Sequence, residues 1–534
     1  MPRVASYQPI YFAPDLDPSW ENSPGVLTDL RNYVPTKRGT YANFANGPTQ
    51  SLGAIADAPS WVLATYGTPV TGYVFKAVSG AAASARMFIC SKGSKRRIIE
   101  LSSAGTVTDR SKGATDYSAS TVQWTMTNQG NAIIACNLYD ATQVSTSGVF
   151  ADLGGGSPKA QCCCANLGFV MLGNYDDGVN TYGDGWWCSA LGNYASFTPS
   201  LATQAANGRL LDTPGPIRSL VPMRDSIIAY KDDSIYIGDY IGDTVNGVIW
   251  SWRVVSNNVG CASIHGVAVL NNTHYFLHRT GVYAYDGAQV SNVGGTVSKF
   301  INSKTPDGTG LTVGHSAVDE NEGVIALGFA NLTSDAQLYY ILFLNVNTGR
   351  FGFGSSGTNW QESTATNGKL YAFMHCNVGD LQQWEPGSGQ EFTGKSGLVC
   401  IGTNDGGTTG KLRIPAYNAA IVTAAVGQTY LQFGYVANSV AMTQISRLWM
   451  RLLSYGTQSA APTCSLRHSR REGDQTSGLL SLATSAGGTW NSNNFCFDFS
   501  GEGTDDRALQ PIPIFFGPHE LGGIALDMQV TGRE

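Results

Sequence analysis

Through the middle of the chain, short runs of strand-forming residues alternate with polar, glycine-containing turns. R-M-F-I-C-S-K-G-S-K-R-R-I-I-E-L from Arg86 and N-A-I-I-A-C-N-L-Y-D-A-T-Q-V from Asn131 have this form. So do G-F-V-M-L-G-N-Y-D-D from Gly168 with G-W-W-C-S-A-L-G from Gly185, and D-S-I-I-A-Y-K-D-D-S-I-Y-I-G-D-Y from Asp225. H-Y-F-L-H-R-T-G-V-Y-A-Y-D-G from His274 is followed by G-V-I-A-L-G-F from Gly323, Q-L-Y-Y-I-L-F-L-N-V from Gln337 and G-K-L-Y-A-F-M-H from Gly368. β-Branched and aromatic residues bounded by Gly, Asp and Asn predict strand, turn, strand in every case.

Ile89, Ile133, Val170, Ile228, Phe276, Ile325 and Tyr371 mark the centres of these hairpins, at spacings of about 44, 37, 58, 48, 49 and 46 residues. Repeats of that length are those of propeller blades, each a small sheet that buries both faces only by stacking on its neighbours. The chain is therefore expected to be all-β, with a β-propeller of about seven blades over residues 51–394. Hairpins in unrelated β-sandwiches are the alternative.

The flanks break the pattern. Residues 1–50, with P-S-W-E-N-S-P-G at Pro18 and R-N-Y-V-P-T-K-R-G-T-Y at Arg31, read as an extended N-terminal arm seeking a partner surface. Residues 395–534 carry longer runs such as I-S-R-L-W-M-R-L-L-S-Y, separated by Gly, Ser and Thr. They predict a separate C-terminal β-domain resembling a sandwich.

Composition adds to this picture. There are 64 glycines in 534 residues, and 13% of the residues are charged, which suits strands and turns. A net charge of −6 argues against sequence-specific DNA binding, because phosphate recognition depends on a basic surface. The 11 cysteines include consecutive Cys162, Cys163 and Cys164, which fit neither disulfides between neighbours nor a paired zinc motif, so folding in a reducing cytosol is expected. The first residues, M-P-R-V-A-S-Y-Q-P-I, lack the apolar stretch of a signal peptide. The run Tyr339–Leu344 is too short to span a membrane.

Candidate chemistry is sparse. His274 and His278 have the i, i+4 spacing of a helical metal site, but they lie in a strand pattern. There they stand about 13 Å apart at about 3.3 Å per residue, so they are read as ordinary strand histidines. Asp232, Asp233, Asp286, Asp319 and Glu320 sit at turns, where acids are common for backbone reasons. The Asp176, Asp177 and Asp184 loop lacks the ligand spacing of a calcium loop. No G-x-S-x-G elbow, phosphate loop or dinucleotide fingerprint occurs. Lys95-Arg96-Arg97 and Arg467 with Arg470-Arg471 are basic clusters read as solvated strand ends, with contact to an acidic partner or a nucleic acid backbone as the alternative. No catalytic, cofactor-binding or metal-ligating residue is assigned, and neither a cofactor nor enzymatic activity is expected.

One ordered set of motifs resembles a known family. D-G-W-W-C-S-A-L-G-N-Y from Asp184, K-D-D-S-I-Y-I-G from Lys231, the Gly260-Cys261 step and R-T-G-V-Y-A-Y-D-G from Arg279 follow one another as in the β-propeller nozzle or tail-tube proteins of short-tailed bacteriophages. R-N-Y-V-P-T-K-R-G-T-Y from Arg31 resembles the N-terminal strand of that family, whereas His278 stands where serine is commoner. The resemblance implies a structural virion protein folded in the host cytoplasm. It further implies a ring, usually a hexamer, below the portal and adaptor and associated with tail fibres, enclosing the channel through which DNA passes without sequence-specific contact. The alternatives are a glycan-binding or glycan-cleaving propeller at a tail tip, with Trp186, Trp187, Trp250, Trp252 and Trp384 as candidate aromatics, and a monomeric protein-interaction propeller.

Overall fold

The computed structural model describes residues 7–16, 25–43, 60–76, 85–102, 106–120, 123–305, 308–330, 338–355, 370–375, 398–403, 409–413, 429–433, 436–437, 441–455, 461–469, 489–492, 494–499, 505–506, 508–515 and 519–533. Strands dominate them. The longest helix among the described residues is Ser298–Lys304, and no helix is long and apolar enough to cross a membrane.

Seven four-stranded antiparallel units are traced among the described residues. The first comprises Thr68–Lys76, Ala85–Lys92, Ile98–Leu101 and Val107–Asp109. The second comprises Thr125–Gln129, Ala132–Cys136, Gln143–Ser145 and Ala151–Asp152. The third runs through Lys159–Asn166, Phe169–Asp176, Thr181–Cys188 and Ala206–Arg209. The fourth is Ser219–Met223, Ser226–Tyr230, Ile235–Asp243 and Val248–Ser256. Val267–Leu270, Thr273–His278, Gly281–Tyr285 and Val290–Asn292 form the fifth. His315–Asp319, Val324–Phe329, Tyr340–Asn345 and Arg350–Ser355 form the sixth. The seventh joins Leu370–His375, Cys400–Thr403 and Thr409–Arg413 to Ser60–Val62, a strand from the other end of the chain.

The units stack radially, as a β-propeller. First strands lie side by side through units one to four and again through units five to seven, and the fourth and fifth units share an apolar cluster. The circle closes where the seventh unit pairs in parallel with the first, Met374 with Gly72 and His375 with Tyr73. At Gly72 a Cβ would stand 2.6 Å from Ile401 and 2.8 Å from the Met374 sulfur, so only glycine fits this seam as packed.

Each junction between units holds its own apolar cluster because alternate residues of a strand point to opposite faces. Ile133 packs toward the first unit and Ile134 toward the third. The same alternation explains the cysteine triplet: Cys163 faces the second unit, while Cys162 and Cys164 face the fourth. All ten cysteines among the described residues are buried free thiols, acting as small apolar side chains.

Two expected boundaries differ from the structure. The propeller extends past residue 394, since Cys400–Thr403 and Thr409–Arg413 complete its seventh unit. Those strands are short and interrupted by Gly and Thr, which hides them in a flank of similar composition. The arm, in turn, is woven into the sheets. Tyr11–Phe12 and Tyr33–Pro35 pair with the outer strand of the sixth unit, at Phe12–Phe351 and Tyr33–Phe353. Val26–Arg31 pairs with Thr429–Phe433, and Tyr41–Asn43 pairs with His519–Arg533.

The C-terminal strands consequently share a core with the propeller. Ile325, Leu344 and Phe353 of the sixth unit, Leu30 and Tyr41 of the N-terminal segment, and Leu431, Leu448 and Phe515 belong to one buried cluster. Full burial of each such side chain contributes about 1.5–3 kcal/mol, so the junction is strongly held. The Tyr41 hydroxyl accepts from the Phe12 amide at 2.9 Å and donates to the Phe351 carbonyl at 2.9 Å, and burial pushes its pKa up to about 12. Gly352 lets the Tyr33 backbone approach: a Cβ there would lie 2.4 Å from the Tyr33 carbonyl oxygen.

Candidate functional site

Beside the seam, three histidines from three units converge. His265 precedes the first strand of the fifth unit, His315 opens that of the sixth, and His375 ends that of the seventh. A parallel bridge between His265 and His315 sets the first two rings against each other, with centroids 4.5 Å apart and planes 23° from parallel. His375 lies 5.2 Å from the His265 ring and 6.3 Å from the His315 ring. One ring nitrogen from each residue falls within 4.8 Å of the other two.

Tyr73, from the first unit, covers the cluster. Its ring stacks on His375 at 4.9 Å, and its hydroxyl stands 3.4 Å from His265 Nδ1. His265 and His315 are buried and His375 is partly buried. Desolvation, followed by the neighbouring imidazoles, holds His265 and His315 well below the usual histidine range, while desolvation lowers His375 to about 4. The rings are thus neutral at pH 7, the form in which imidazole acts as a ligand. His265 Nε2, His315 Nδ1 and His375 Nε2 are buried without a hydrogen-bond partner.

Sequence reasoning passed over this cluster because the three residues are scattered from 265 to 375. A signal exists in register: His265 lies 11 residues before Phe276 and His315 lies 10 before Ile325, equivalent places in consecutive repeats.

His274 and His278 have separate partners. His274 Nδ1 lies 2.9 Å from the Tyr230 hydroxyl. His278 Nε2 lies 3.0 Å from Asp233 and its Nδ1 lies 2.7 Å from Thr280. Burial lowers the pKa of His274 to about 4.

The other candidates are engaged locally. Asp232 receives a two-pronged contact from Arg218 at 2.8 and 3.1 Å, and Asp286 and Asp319 accept backbone amides in their own turns. Glu320 lies in the turn after Asp319 and is exposed. Asp176 and Asp177 cap their loop, while Asp184 pairs with Arg209 at 2.8 Å. Lys95 and Arg97 pair with Asp116, Arg97 also pairs with Asp109, and Arg96 donates to the Tyr117 carbonyl. Arg467 lies in the strand Thr463–Ser469, whereas Arg470 and Arg471 lie outside the described residues.

The tryptophans serve packing. Trp186, Trp250 and Trp252 join the cluster between the third and fourth units, and Trp187 packs at the second–third junction and donates to the Phe197 carbonyl. Trp384 lies outside the described residues.

Three of the motifs that carried the family resemblance meet around the fourth and fifth units, while the Asp184 motif lies in the third unit and the Arg31 motif pairs with the sixth and the C-terminal strands. Asp233 of K-D-D-S-I-Y faces both His278 and Arg279 of H-R-T-G. Gly260 crosses the Lys231–Ser234 turn so closely that a Cβ would stand 2.1 Å from the Lys231 carbonyl oxygen. The Cys261 amide donates to that same oxygen at 2.9 Å. Lys231 itself is buried, with Nζ donating to the carbonyls of Leu210 and Thr213, and desolvation lowers its pKa.

No known protein family's sequence profile matches the chain, and no curated protein matches it. Among solved structures it is similar to YCF48 bound to D1 peptide, at 9% identity and a TM-score of 0.36, over 69% of this chain and 98% of that one. It is also similar to PorZ, a surface component of the type-IX secretion system of Porphyromonas gingivalis, at 9% identity and a TM-score of 0.33. That match covers 73% of this chain and 44% of PorZ.

Proposed function

We propose that the chain is a structural subunit of a short-tailed phage tail, acting by assembly rather than by catalysis. It would form the nozzle ring below the portal and adaptor and enclose the path of the ejected DNA. The observation that carries this reading is the shared core, in which N-terminal strands lock the sixth propeller unit to the C-terminal β-domain. A subunit that keeps its place in a ring benefits from two parts joined through one buried core. The resemblance supports the same reading, because three of its motifs, Lys231–Ser234, Gly260-Cys261 and His278-Arg279, contact one another between the fourth and fifth units. An acidic chain also suits a conduit, since it avoids strong phosphate binding.

On this reading the subunit is made in the host cytoplasm and ends in the virion. A closed ring requires a heterologous contact between copies, which mass photometry and negative-stain imaging of the purified chain detect. A ring near six copies with a central hole is the expected result. A protein that stays monomeric when concentrated, and when mixed with adaptor and portal, overturns the proposal in favour of a protein-interaction propeller.

A further inference from the structure

We infer that His265, His315 and His375 form a binding site for one divalent transition-metal ion of the zinc class, which ties the last three propeller units together beside the seam. Three observations carry the inference. The three ligand nitrogens already lie within 4.8 Å of one another, although their residues come from three separate strands. Each ring has one buried nitrogen without a hydrogen-bond partner, which costs free energy that a bound cation would recover. Finally, the donor set is all imidazole, which suits Zn²⁺, Ni²⁺ or Cu²⁺ and disfavours Mg²⁺ and Ca²⁺, whose preferred ligands are oxygens.

The geometry requires a modest adjustment. Tetrahedral ligation at about 2.0–2.1 Å brings nitrogens to about 3.4 Å of one another, so the rings must turn and close by roughly 1.4 Å. On this proposal, turning of the three imidazoles about their side-chain torsions supplies that movement. The Tyr73 hydroxyl, 3.4 Å from His265 Nδ1, remains as the orienting partner for one ring. Three protein ligands leave a fourth position for water. The physical consequence is a cross-link between units five, six and seven, where the chain closes on itself.

This inference is independent of ring assembly and is tested on the full chain in any oligomeric state. The protein is stripped with a chelator, dialysed, and titrated with Co²⁺ as a spectroscopic probe and with Zn²⁺ in thermal melts. Saturation at one Co²⁺ per chain with the visible absorption of a tetrahedral nitrogen site is expected, together with a rise of about 2 °C or more in the melting midpoint with excess Zn²⁺. His315→Gln should abolish both responses, whereas His274→Gln should retain them. If stripped wild-type protein shows neither the absorption nor a Zn²⁺-dependent shift, the cluster is a packed stack of neutral rings and the inference fails, whatever the variants do. Retention of both responses in the His265→Gln, His315→Gln double variant overturns it equally.

Discussion

The fourth–fifth junction and the seventh–first seam solve the same packing problem with different chemistry. At the junction, polar groups are matched: Asp233 faces His278 and Arg279, Asp232 holds Arg218, and His274 meets Tyr230. At the seam, three neutral imidazoles crowd together beside a parallel strand pair, and each has a nitrogen left over. The junction is built from contiguous motifs and leaves one imidazole nitrogen, His274 Nε2, without a partner, where the seam gathers three. The seam is assembled from segments more than 300 residues apart and holds unspent bonding capacity.

Acid should expose this difference most strongly. A histidine whose folded pKa is depressed stays neutral while the unfolded chain takes up a proton near pH 6.5. Its stability contribution is therefore complete above that pH and is lost as pH falls toward the folded value. His274 and His375, each lowered to about 4, should each cost about 2 kcal/mol between pH 7 and 5, and His265 and His315 act in the same direction. Urea denaturation of metal-stripped protein at the two pH values should show a total loss of about 4 kcal/mol or more. His274→Gln should leave most of it in place; if that single change removes most of the acid sensitivity, the seam is not its source.

Gly260→Ala probes the junction from the backbone side. The added methyl meets the Lys231 carbonyl, so a loss of about 3 kcal/mol is expected in the same denaturation assay. A loss below about 1 kcal/mol would mean that the Lys231–Ser234 turn yields easily. Asp233→Ala should cost less, about 1 kcal/mol, since Asp233 and Arg279 are largely solvent-facing and the main loss is the hydrogen bond to buried His278. The smallest effect belongs to Tyr73→Phe, about 0.5 kcal/mol in thermal or urea melts, because the contact of the hydroxyl with His265 is long, at 3.4 Å. A cost above about 2 kcal/mol would reveal that the phenol is a principal partner at the seam.

The hairpins were legible because strand periodicity and Gly or Asp turns are local signals. Ile89, Ile133, Val170, Ile228, Phe276 and Ile325 all fall in the second strand of their units. Tyr371 falls in the first strand of its unit instead, because the rest of that unit lies beyond the expected boundary and its fourth strand is Ser60–Val62. No local pattern tells a three-residue strand which distant edge it will complete. The N-terminal arm shows the same limit: Tyr33 and Tyr41 are plain strand formers in sequence, and only their pairing with Phe353 and Leu521 makes them part of the core. The histidine cluster was hidden because metal motifs are sought at short spacings, whereas here closure of the propeller creates the proximity.

That closure also sets a timetable. Ser60–Val62 must wait until Thr409–Arg413 has been made, about 350 residues later, which at ~5–20 residues per second is roughly 20–70 s of translation. During that interval the nascent chain carries open strand edges and unpaired N-terminal strands, the features most prone to pair with the wrong partner. The chain thus depends on protection of a half-made circle during its synthesis, and slow or truncated synthesis should yield aggregates rather than smaller propellers.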